Sequence, residues 1–211
     1  MNRQVAELGR AGVATVYEAY GRRGLIAQEW DVVTTGRRVA GPACTVRCGD
    51  GDNRAVHEAM SLVRPGELLV ITMDTPQPVG VVGDLLVTQA AAQGAVGILV
   101  NAAVRDSADL AGSQLAVLTR WRSVRGATRT ARGEINVPVS LGGTTIQPGD
   151  VVVLDDDGAA VVSAVDVDDT VAAVRKRIAR EAELRARWES GELSYDVYGL
   201  RQQDAEESVT T

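Results

Sequence analysis

Short apolar runs alternate with amphipathic stretches through the first part of the chain. Apolar positions at helical spacing predict one or two helices over residues 4–23. The polar turn at residues 50–53 predicts a capped helix over residues 54–63. Residues 34–47 alternate but are interrupted by Gly41-Pro42, which predicts two short strands or one bulged strand. Three compact apolar runs predict buried strands: 67–73, 95–100 and 115–118.

The second part of the chain is rich in short strand patterns. These lie at residues 135–141, 144–146, 151–154 and 158–162, with Gly142-Gly143 as a hairpin turn. A long helix is predicted from about 166 to 189, and residues 202–211 are predicted to be disordered. The order of elements predicts a three-layer mixed α/β fold, with a core domain over 1–165 and a C-terminal helix and tail over 166–201.

Composition limits the protein class. With 211 residues and 45% hydrophobic content, the chain can form one domain with an appended helical tail. No apolar run approaches about 18 residues, so no membrane span is expected, and the N-terminal residues lack the apolar segment of a signal peptide. A formal net charge of −6 argues against nucleic-acid binding. Cys44 and Cys48 would lie about 13 Å apart along one strand, too far for a disulfide, which indicates free thiols and a cytoplasmic location.

The most informative stretch is residues 82–106. Gly83-Asp84 opens a predicted helix over 85–93, Gly94 is placed to end it, and the following strand leads to Arg105-Asp106. A helix followed by a strand returns the chain towards its start, so Asp84 is expected to meet Arg105-Asp106 at one edge of a cleft. Two carboxylates and a guanidinium could hold a divalent cation and a small carboxylate, although each motif alone is more often a helix cap or a solvated turn.

The spacing of Asp84 and Arg105-Asp106 resembles the signature of the class II pyruvate aldolases, which act on 4-hydroxy-4-methyl-2-oxoglutarate and 4-carboxy-4-hydroxy-2-oxoadipate. These enzymes share their fold with the regulator of ribonuclease activity A. Further family-like blocks occur in family order at 39–46, 51–59, 133–139 and 148–158. The tail, residues 191–201, is similar to the aldolase branch in particular. The resemblance implies a three-layer α/β/β sandwich of the swivelling-domain type with a C-terminal helical tail, assembled as trimers or dimers of trimers.

The chain contains a single lysine, Lys176, between two arginines of the predicted C-terminal helix. A Schiff-base lysine needs a desolvated pocket, so a metal is the favoured means of stabilising a pyruvate enolate. The resemblance implies that Asp106 is the direct ligand of Mg²⁺ or Mn²⁺. It also implies that Asp84 holds a metal-bound water that serves as base or proton shuttle.

The same resemblance implies that Arg105 binds the 2-oxo acid and stabilises its enolate. The amides that follow Gly83, those of Leu85 and Leu86, would cradle the substrate carboxylate at a helix N-terminus. The implied reaction is retro-aldol cleavage of a 4-hydroxy-2-oxo di- or tricarboxylic acid to pyruvate and a second oxo acid, as in aromatic degradation. Oxaloacetate decarboxylation is an expected side activity. In the aldolase branch an acid from a neighbouring tail contributes, with Glu181 or Glu183 as candidates here.

Two alternatives remain at this stage: a non-catalytic binding protein like the ribonuclease regulator, and a family member recruited to another carboxylated substrate. The 195–201 tail favours the aldolase. Asn101-Ala102 stands where the family usually has Asp-Gly, which keeps the recruited-substrate alternative open.

Two further features have competing interpretations. Five arginines surround Trp121, at positions 120, 122, 125, 129 and 132. They are predicted to form a solvated loop or subunit rim rather than a site for an anion. His57, the single histidine, is assigned a packing or hydrogen-bonding role in preference to acid–base chemistry, and Asn53 is predicted to be the turn or cap residue.

Overall fold

The computed structural model describes residues 2–209, which form helices and strands in the alternating order expected. The helices are α1 Arg3–Ala11, α2 Val13–Ala19, α3 Arg54–Ala59, α4 Asp84–Ala92, α5 Ser107–Leu110, α6 Val167–Glu189, α7 Ser194–Val197 and α8 Leu200–Val209, and a 3₁₀ turn spans Ala164–Asp166. The strands are β1 Asp31–Val32, β2 Val39–Cys48, β3 Leu68–Met73, β4 Gly80–Val82, β5 Gly97–Val104, β6 Ala116–Arg122, β7 Glu134–Ile135, β8 Val139–Leu141, β9 Thr144–Ile146, β10 Val151–Asp155 and β11 Gly158–Val162.

The main sheet is mixed, with the strand order β1-β6-β5-β3-β2-β10-β11. Its centre is parallel, because β2, β3, β5 and β6 pair in parallel through crossover connections. Strand β4 adds to β5, and β7 adds to β2. Strands β8 and β9 form a separate hairpin with the predicted turn at Gly142-Gly143, and both glycines have positive φ.

Strand β2 runs unbroken for ten residues and changes partner part-way along. Residues 39–42 pair antiparallel with β10, whereas residues 43–48 pair parallel with β3. The prediction of two strands or a bulged strand was therefore wrong. Gly41-Pro42 marks the change of partner, and a Cβ at Gly41 would lie 2.7 Å from the carbonyl oxygen of Gly66.

Three buried apolar clusters account for the layers. The first fills the space between the parallel strands and helices α3, α4 and α5. The second lies between the opposite face of these strands and the β8–β9 hairpin. The third packs α1, α2 and the start of α6 against β10 and β11. The helix, sheet and hairpin layers confirm the α/β/β prediction, with additional helices at both ends of the chain.

The two cysteines lie in β2 and are both buried free thiols, as predicted. Burial raises the pKa of Cys44 to about 11 and that of Cys48 to about 12. Because a thiol that stays protonated is a poor nucleophile, both behave as small apolar side chains of the core.

The chain divides into two compact units between Val174 and Arg175, within α6, rather than near residue 165 as predicted. The reason is that Val167, Val171 and Val174 are buried in the third cluster, so the first turns of α6 belong to the core. In the second unit Trp188 and Tyr198 meet edge to face, with ring centroids 6.0 Å apart.

The C-terminal residues also differ from the prediction of disorder over 202–211. Residues 202–209 lie in helix α8, whose Gln, Ala and Glu residues are good helix formers. Thr210 and Thr211 lie outside the described residues. No helix within residues 2–209 combines the length and the apolar character needed to cross a membrane.

Candidate active site

The turns that follow β4 and β5 lie side by side. Because β4 pairs in parallel with β5, the Arg105 amide donates to the Val82 carbonyl oxygen at 3.0 Å. This contact places Gly83-Asp84 next to Arg105-Asp106, and the Asp84 amide donates to Asp106 Oδ2 at 3.2 Å. The residues predicted to converge therefore do so at the carboxyl ends of two parallel strands, the usual position of a ligand site in such sheets.

Asp106 adopts a left-handed backbone conformation, with φ of 58°, at the N-terminal end of α5. Aspartate accepts this conformation better than most residues, and such positions cluster at functional sites. Its Oδ2 atom lies 3.5 Å from Arg105 Nε. Both side chains are partly exposed, so this contact orients the two groups more than it stabilises the fold.

Position 83 has no room for a side chain, because Arg105 and Asp106 occupy the space around it. A Cβ at this position would lie 2.5 Å from Asp106 Oδ2, 3.0 Å from Arg105 Cγ and 3.1 Å from Arg105 Nε. The backbone of Gly83 is extended, with φ of −140°, which any residue can adopt. The requirement for glycine is therefore the close approach of Arg105 and Asp106.

Helix α4 starts at Asp84, and Gly94, with φ of 83°, follows its C-terminus as predicted. The amides of the first turn of a helix have no intrahelical acceptor and attract anions. Here the Asp84 amide is used by Asp106, and the Leu86 amide donates to the Gly83 carbonyl oxygen at 3.1 Å. Of the two amides expected to cradle a carboxylate, that of Leu85 is the better placed.

A cavity of about 120 Å³ opens beside these turns. This volume accommodates several waters or a small organic acid. The lining residues come from the β4–α4 turn, the end of β5, helix α3 and the loop after β6: Asn53, His57, Gly80, Val81, Gly83, Leu85, Leu86, Arg105, Asp106, Ala127 and Arg129.

Arg129 is the lining residue that sequence reasoning assigned to a solvated rim. Its backbone is fixed because the residues on both sides of it are bound by Asp52, which is only 1% exposed. Asp52 Oδ2 accepts hydrogen bonds from the Thr128 hydroxyl and the Thr130 amide, both at 2.6 Å, and from the Ala131 amide at 3.1 Å. Burial alone would raise the pKa of Asp52, but these hydrogen bonds and that from the Arg54 amide outweigh burial and lower the pKa.

His57 lies on α3 and accepts a hydrogen bond at Nε2 from Arg129 Nε, at 3.2 Å. Partial burial lowers the pKa of His57, and the positive charge of Arg129 lowers it further. The imidazole is therefore neutral at pH 7 and can act as the acceptor that orients the guanidinium. This contact agrees with the predicted hydrogen-bonding role of His57.

Asn53 precedes α3, but its side chain does not cap that helix; Asp52 Oδ1 accepts the Arg54 amide instead, at 2.8 Å. The Asn53 side-chain amide donates to the Val81 carbonyl oxygen at 3.0 Å. Its Oδ1 atom is buried and has no hydrogen-bond partner among residues 2–209. An unpaired buried acceptor costs free energy, and this one belongs to a residue of the cavity lining.

Two other arginines of this group lie in β6 and have different roles. Arg122 forms two hydrogen bonds with Asp31, both at 2.6 Å, across the β1–β6 edge. Arg120 stacks over Trp121 at 4.3 Å and its Nη1 atom lies 3.5 Å from Asn101 Oδ1. Asn101 and Ala102 are buried within β5, and neither lines the cavity described above.

The second unit contains the tail acids that were considered as contributors. Glu181 pairs with Arg177 on the same helix, with 2.7 Å between the guanidinium and carboxylate atoms, and Glu183 is exposed. Lys176 is also exposed, which does not suit a Schiff-base role.

The donor set of the site suits one kind of metal. Within residues 2–209, no group of three His, Cys, Asp or Glu side chains is arranged to hold an ion. Asp106 lines the cavity, whereas Asp84 lies on the adjoining turn and is not among the lining residues; both side chains end in carboxylates, which are hard oxygen donors. Two such groups with water completing the coordination fit Mg²⁺ or Mn²⁺ better than zinc, which takes nitrogen and sulfur ligands in fixed geometry.

Comparison with known proteins places this chain in a family. The profile described as "RraA-like: Aldolase/RraA" matches residues 13–161, which include every residue that lines the cavity. The chain belongs to the RraA-like family. Among curated relatives, a Halalkalibacterium halodurans protein named "Putative 4-hydroxy-4-methyl-2-oxoglutarate aldolase" is 36% identical over 125 residues, which is 59% of this chain and 60% of that protein.

Two solved structures have the same fold as this chain. The Streptomyces coelicolor protein RraAS2, described as an unusual member of the RNase ES inhibitor RraA protein family, superposes with a TM-score of 0.77 at 25% identity over 88% of this chain and 96% of that one. An uncharacterised protein from Pseudomonas syringae superposes with a TM-score of 0.79 at 23% identity, over 90% and 94% of the two chains. The first description concerns inhibition of a ribonuclease, so membership of the family alone does not define an activity.

Proposed function

We propose that this RraA-like protein is a divalent-metal-dependent lyase that cleaves a 4-hydroxy-2-oxo di- or tricarboxylic acid to pyruvate and a second oxo acid. Oxaloacetate decarboxylation, which passes through the same enolate, is the proposed side reaction. One observation carries the proposal: Arg105, Asp106 and the N-terminus of α4 meet at one small cavity. The name of the Halalkalibacterium relative supports the same reaction class.

The cleavage breaks the bond between C3 and C4 of the substrate. The electron pair stays on C3 as the enolate of pyruvate, the C4 hydroxyl loses its proton to become a carbonyl, and C3 then gains a proton. Arg105 binds the 2-oxo acid and balances the negative charge that develops on the enolate. The Leu85 amide donates to the substrate carboxylate, and Asp84 accepts the hydroxyl proton through an intervening water.

Asp106 is the residue that would hold the metal, and Asp84 would contact it through water. When bound, the ion supplies a positive charge that polarises the 2-oxo group. We further propose assembly as a trimer or a dimer of trimers, in which Glu181 or Glu183 is the candidate acid for a neighbouring site.

A second candidate function is non-catalytic binding of a protein partner. The structural likeness to RraAS2, at 25% identity, favours this candidate. The third alternative, another carboxylated substrate, rested on Asn101-Ala102. Their position inside β5 weakens the argument that they reshape the cavity.

The test is pyruvate release from 4-carboxy-4-hydroxy-2-oxoadipate, 4-hydroxy-4-methyl-2-oxoglutarate and oxaloacetate, with magnesium and with a chelator. We expect magnesium-dependent release, abolished in Asp106→Ala and reduced about 100- to 1,000-fold in Arg105→Ala, as for loss of a charged transition-state stabiliser. Full turnover by Asp106→Ala would refute the metal assignment. Absence of release from all three acids by a folded protein would favour the binding function.

A further inference from the structure

The cavity lining contains a second arginine, Arg129, to which the proposed reaction assigns no role. Arg105 contacts the Gly83 and Asp106 side of the cavity, whereas Arg129 contacts His57 on α3. The two guanidiniums therefore enter the lining from different segments of the chain. A ligand with one carboxylate needs only one of them.

Arg129 is held in place more firmly than a solvated loop arginine would be. The neighbouring residue Thr128 pairs on both backbone sides, its amide donating to Gly51 at 3.0 Å and its carbonyl oxygen accepting from Asn53 at 2.9 Å. Asp52 binds the residues before and after Arg129. Fixing the backbone in advance reduces the entropy cost of using this side chain to bind a ligand.

The side chain of Arg129 is also oriented. Its Nε donates to the neutral His57, which leaves the terminal N–H groups of the guanidinium to bind an anion as a planar fork. Asn53, whose buried Oδ1 has no hydrogen-bond partner among residues 2–209, belongs to the same lining and adds a polar side chain to the two guanidiniums.

We infer that Arg129 binds a second carboxylate of the substrate, remote from the 2-oxo acid group that Arg105 binds, and thereby selects dicarboxylic over monocarboxylic 2-oxo acids. His57 is the positioning residue that orients Arg129, and Asp52 fixes the backbone on either side. The identity of the ligand class rests on the proposed function. The contact between Arg129 and a carboxylate concerns binding alone and does not require catalysis.

Calorimetric titration of the magnesium-loaded protein with pyruvate and with 2-oxoglutarate tests the inference, because these acids differ in the second carboxylate. A charge-assisted contact of this kind corresponds to about 10- to 100-fold in affinity. We expect the wild type to bind 2-oxoglutarate more tightly than pyruvate by this factor. Arg129→Gln should remove the difference and leave pyruvate binding unchanged.

Arg125→Gln is the matched control, since Arg125 belongs to the same loop but contributes its backbone carbonyl, which accepts the Gly80 amide at 2.7 Å. This variant should keep the full preference. Arg129→Lys retains the charge without the fork and should give an intermediate preference. His57→Ala should weaken 2-oxoglutarate binding only, and His57→Gln, which can still accept a hydrogen bond, should restore part of it.

The inference is overturned if Arg129→Gln keeps the preference, or if it weakens both acids equally, which would indicate a general electrostatic effect. The two proposals fail separately. A protein that shows the Arg129-dependent preference but releases no pyruvate would contradict the lyase and retain the carboxylate site. A lyase whose dicarboxylate preference is unchanged in Arg129→Gln would retain the proposed function and refute the inference.

Discussion

Replacement of Gly83 by alanine tests the geometry of the proposed site with a single methyl group. The added Cβ would lie 2.5 Å from Asp106 Oδ2, whereas ordinary van der Waals contact begins at 3.4 Å, so the carboxylate has to move by about 0.9 Å. Arg105 Nε, at 3.1 Å, is also too close. Because a displacement of about 1 Å in a reacting group can reduce the rate about 100-fold, we expect a loss of that size.

The same change should leave the fold intact. The extended backbone of Gly83 is available to alanine. The nearest clashing atom, Asp106 Oδ2, is the end of a side chain that can rotate, and Arg105 Cγ and Nε, at 3.0 and 3.1 Å, need to shift by only a few tenths of an ångström. We therefore expect the free energy of unfolding to change by less than about 1 kcal/mol, or about 2–4 °C in Tm. Activity should therefore fall while stability stays nearly unchanged, a result that distinguishes displacement of Asp106 from unfolding.

Gly126→Ala is the matched control. Its Cβ would lie 3.6 Å from Arg105 Nη1, an ordinary contact, so this variant adds the same methyl group beside the same arginine without a clash. The assay is magnesium-dependent pyruvate release, with thermal unfolding measured on both variants. If Gly83→Ala kept wild-type activity, or if the two variants lost activity equally, the assignment of Arg105 and Asp106 to the reaction geometry would be refuted.

Three other predictions follow from the pKa shifts. The imidazole signals of His57 should titrate in NMR spectra below the ordinary pKa of 6.5, because burial and the charge of Arg129 disfavour the protonated form. Arg129→Gln should raise the pKa of His57, and an unchanged pKa would contradict the contact between Arg129 and His57. Since the unfolded chain protonates first, this group also destabilises the fold as the pH falls below about 6.5. Asp52→Asn should lower the free energy of unfolding, measured in urea at pH 7, by about 1–3 kcal/mol. Because the pKa of Asp52 is lowered in the fold, the contribution of its carboxylate is present above the ordinary pKa of 3.8 and is lost as the pH falls, so the stabilities of variant and wild type should converge in acid. Equal stability at pH 7 would contradict the role of Asp52 in fixing the loop around Arg129. At pH 8 Cys44 and Cys48 should react with a thiol reagent only on unfolding, since their pKa values of about 11 and about 12 keep both protonated; prompt labelling of the native protein would show that β2 opens.

Sequence reasoning was most successful where local geometry determines the structure. Gly94 ends α4 and Gly142-Gly143 form the β8–β9 turn because glycine accepts positive φ. The neighbourhood of Asp84 and Arg105 was also predictable, since a strand, helix and parallel strand return the chain to the same edge of the sheet.

The place of Arg129 in the cavity lining could not be predicted, because it depends on contacts between residues distant in sequence. Asp52 lies more than seventy residues before the loop that it binds, and no spacing rule connects the two. Similarly, the sequence does not show that Asn53 donates to the Val81 carbonyl oxygen and is left with an unpaired, buried Oδ1 atom. A polar cluster at 50–53 followed much later by threonines around an arginine is too common to indicate such a contact.

The change of partner along β2 has a consequence for the order in which the protein folds. The pairing of β2 with β10 joins residues about 110 positions apart, whereas the cavity is built from segments that all lie between them. Closing so long a loop carries an entropy cost that shorter-range pairs avoid. The strands and turns of the cavity can therefore assemble before the β10–β11 hairpin docks, and pulse-labelled hydrogen exchange should show amides of β3 and β5 protected earlier than those of β10.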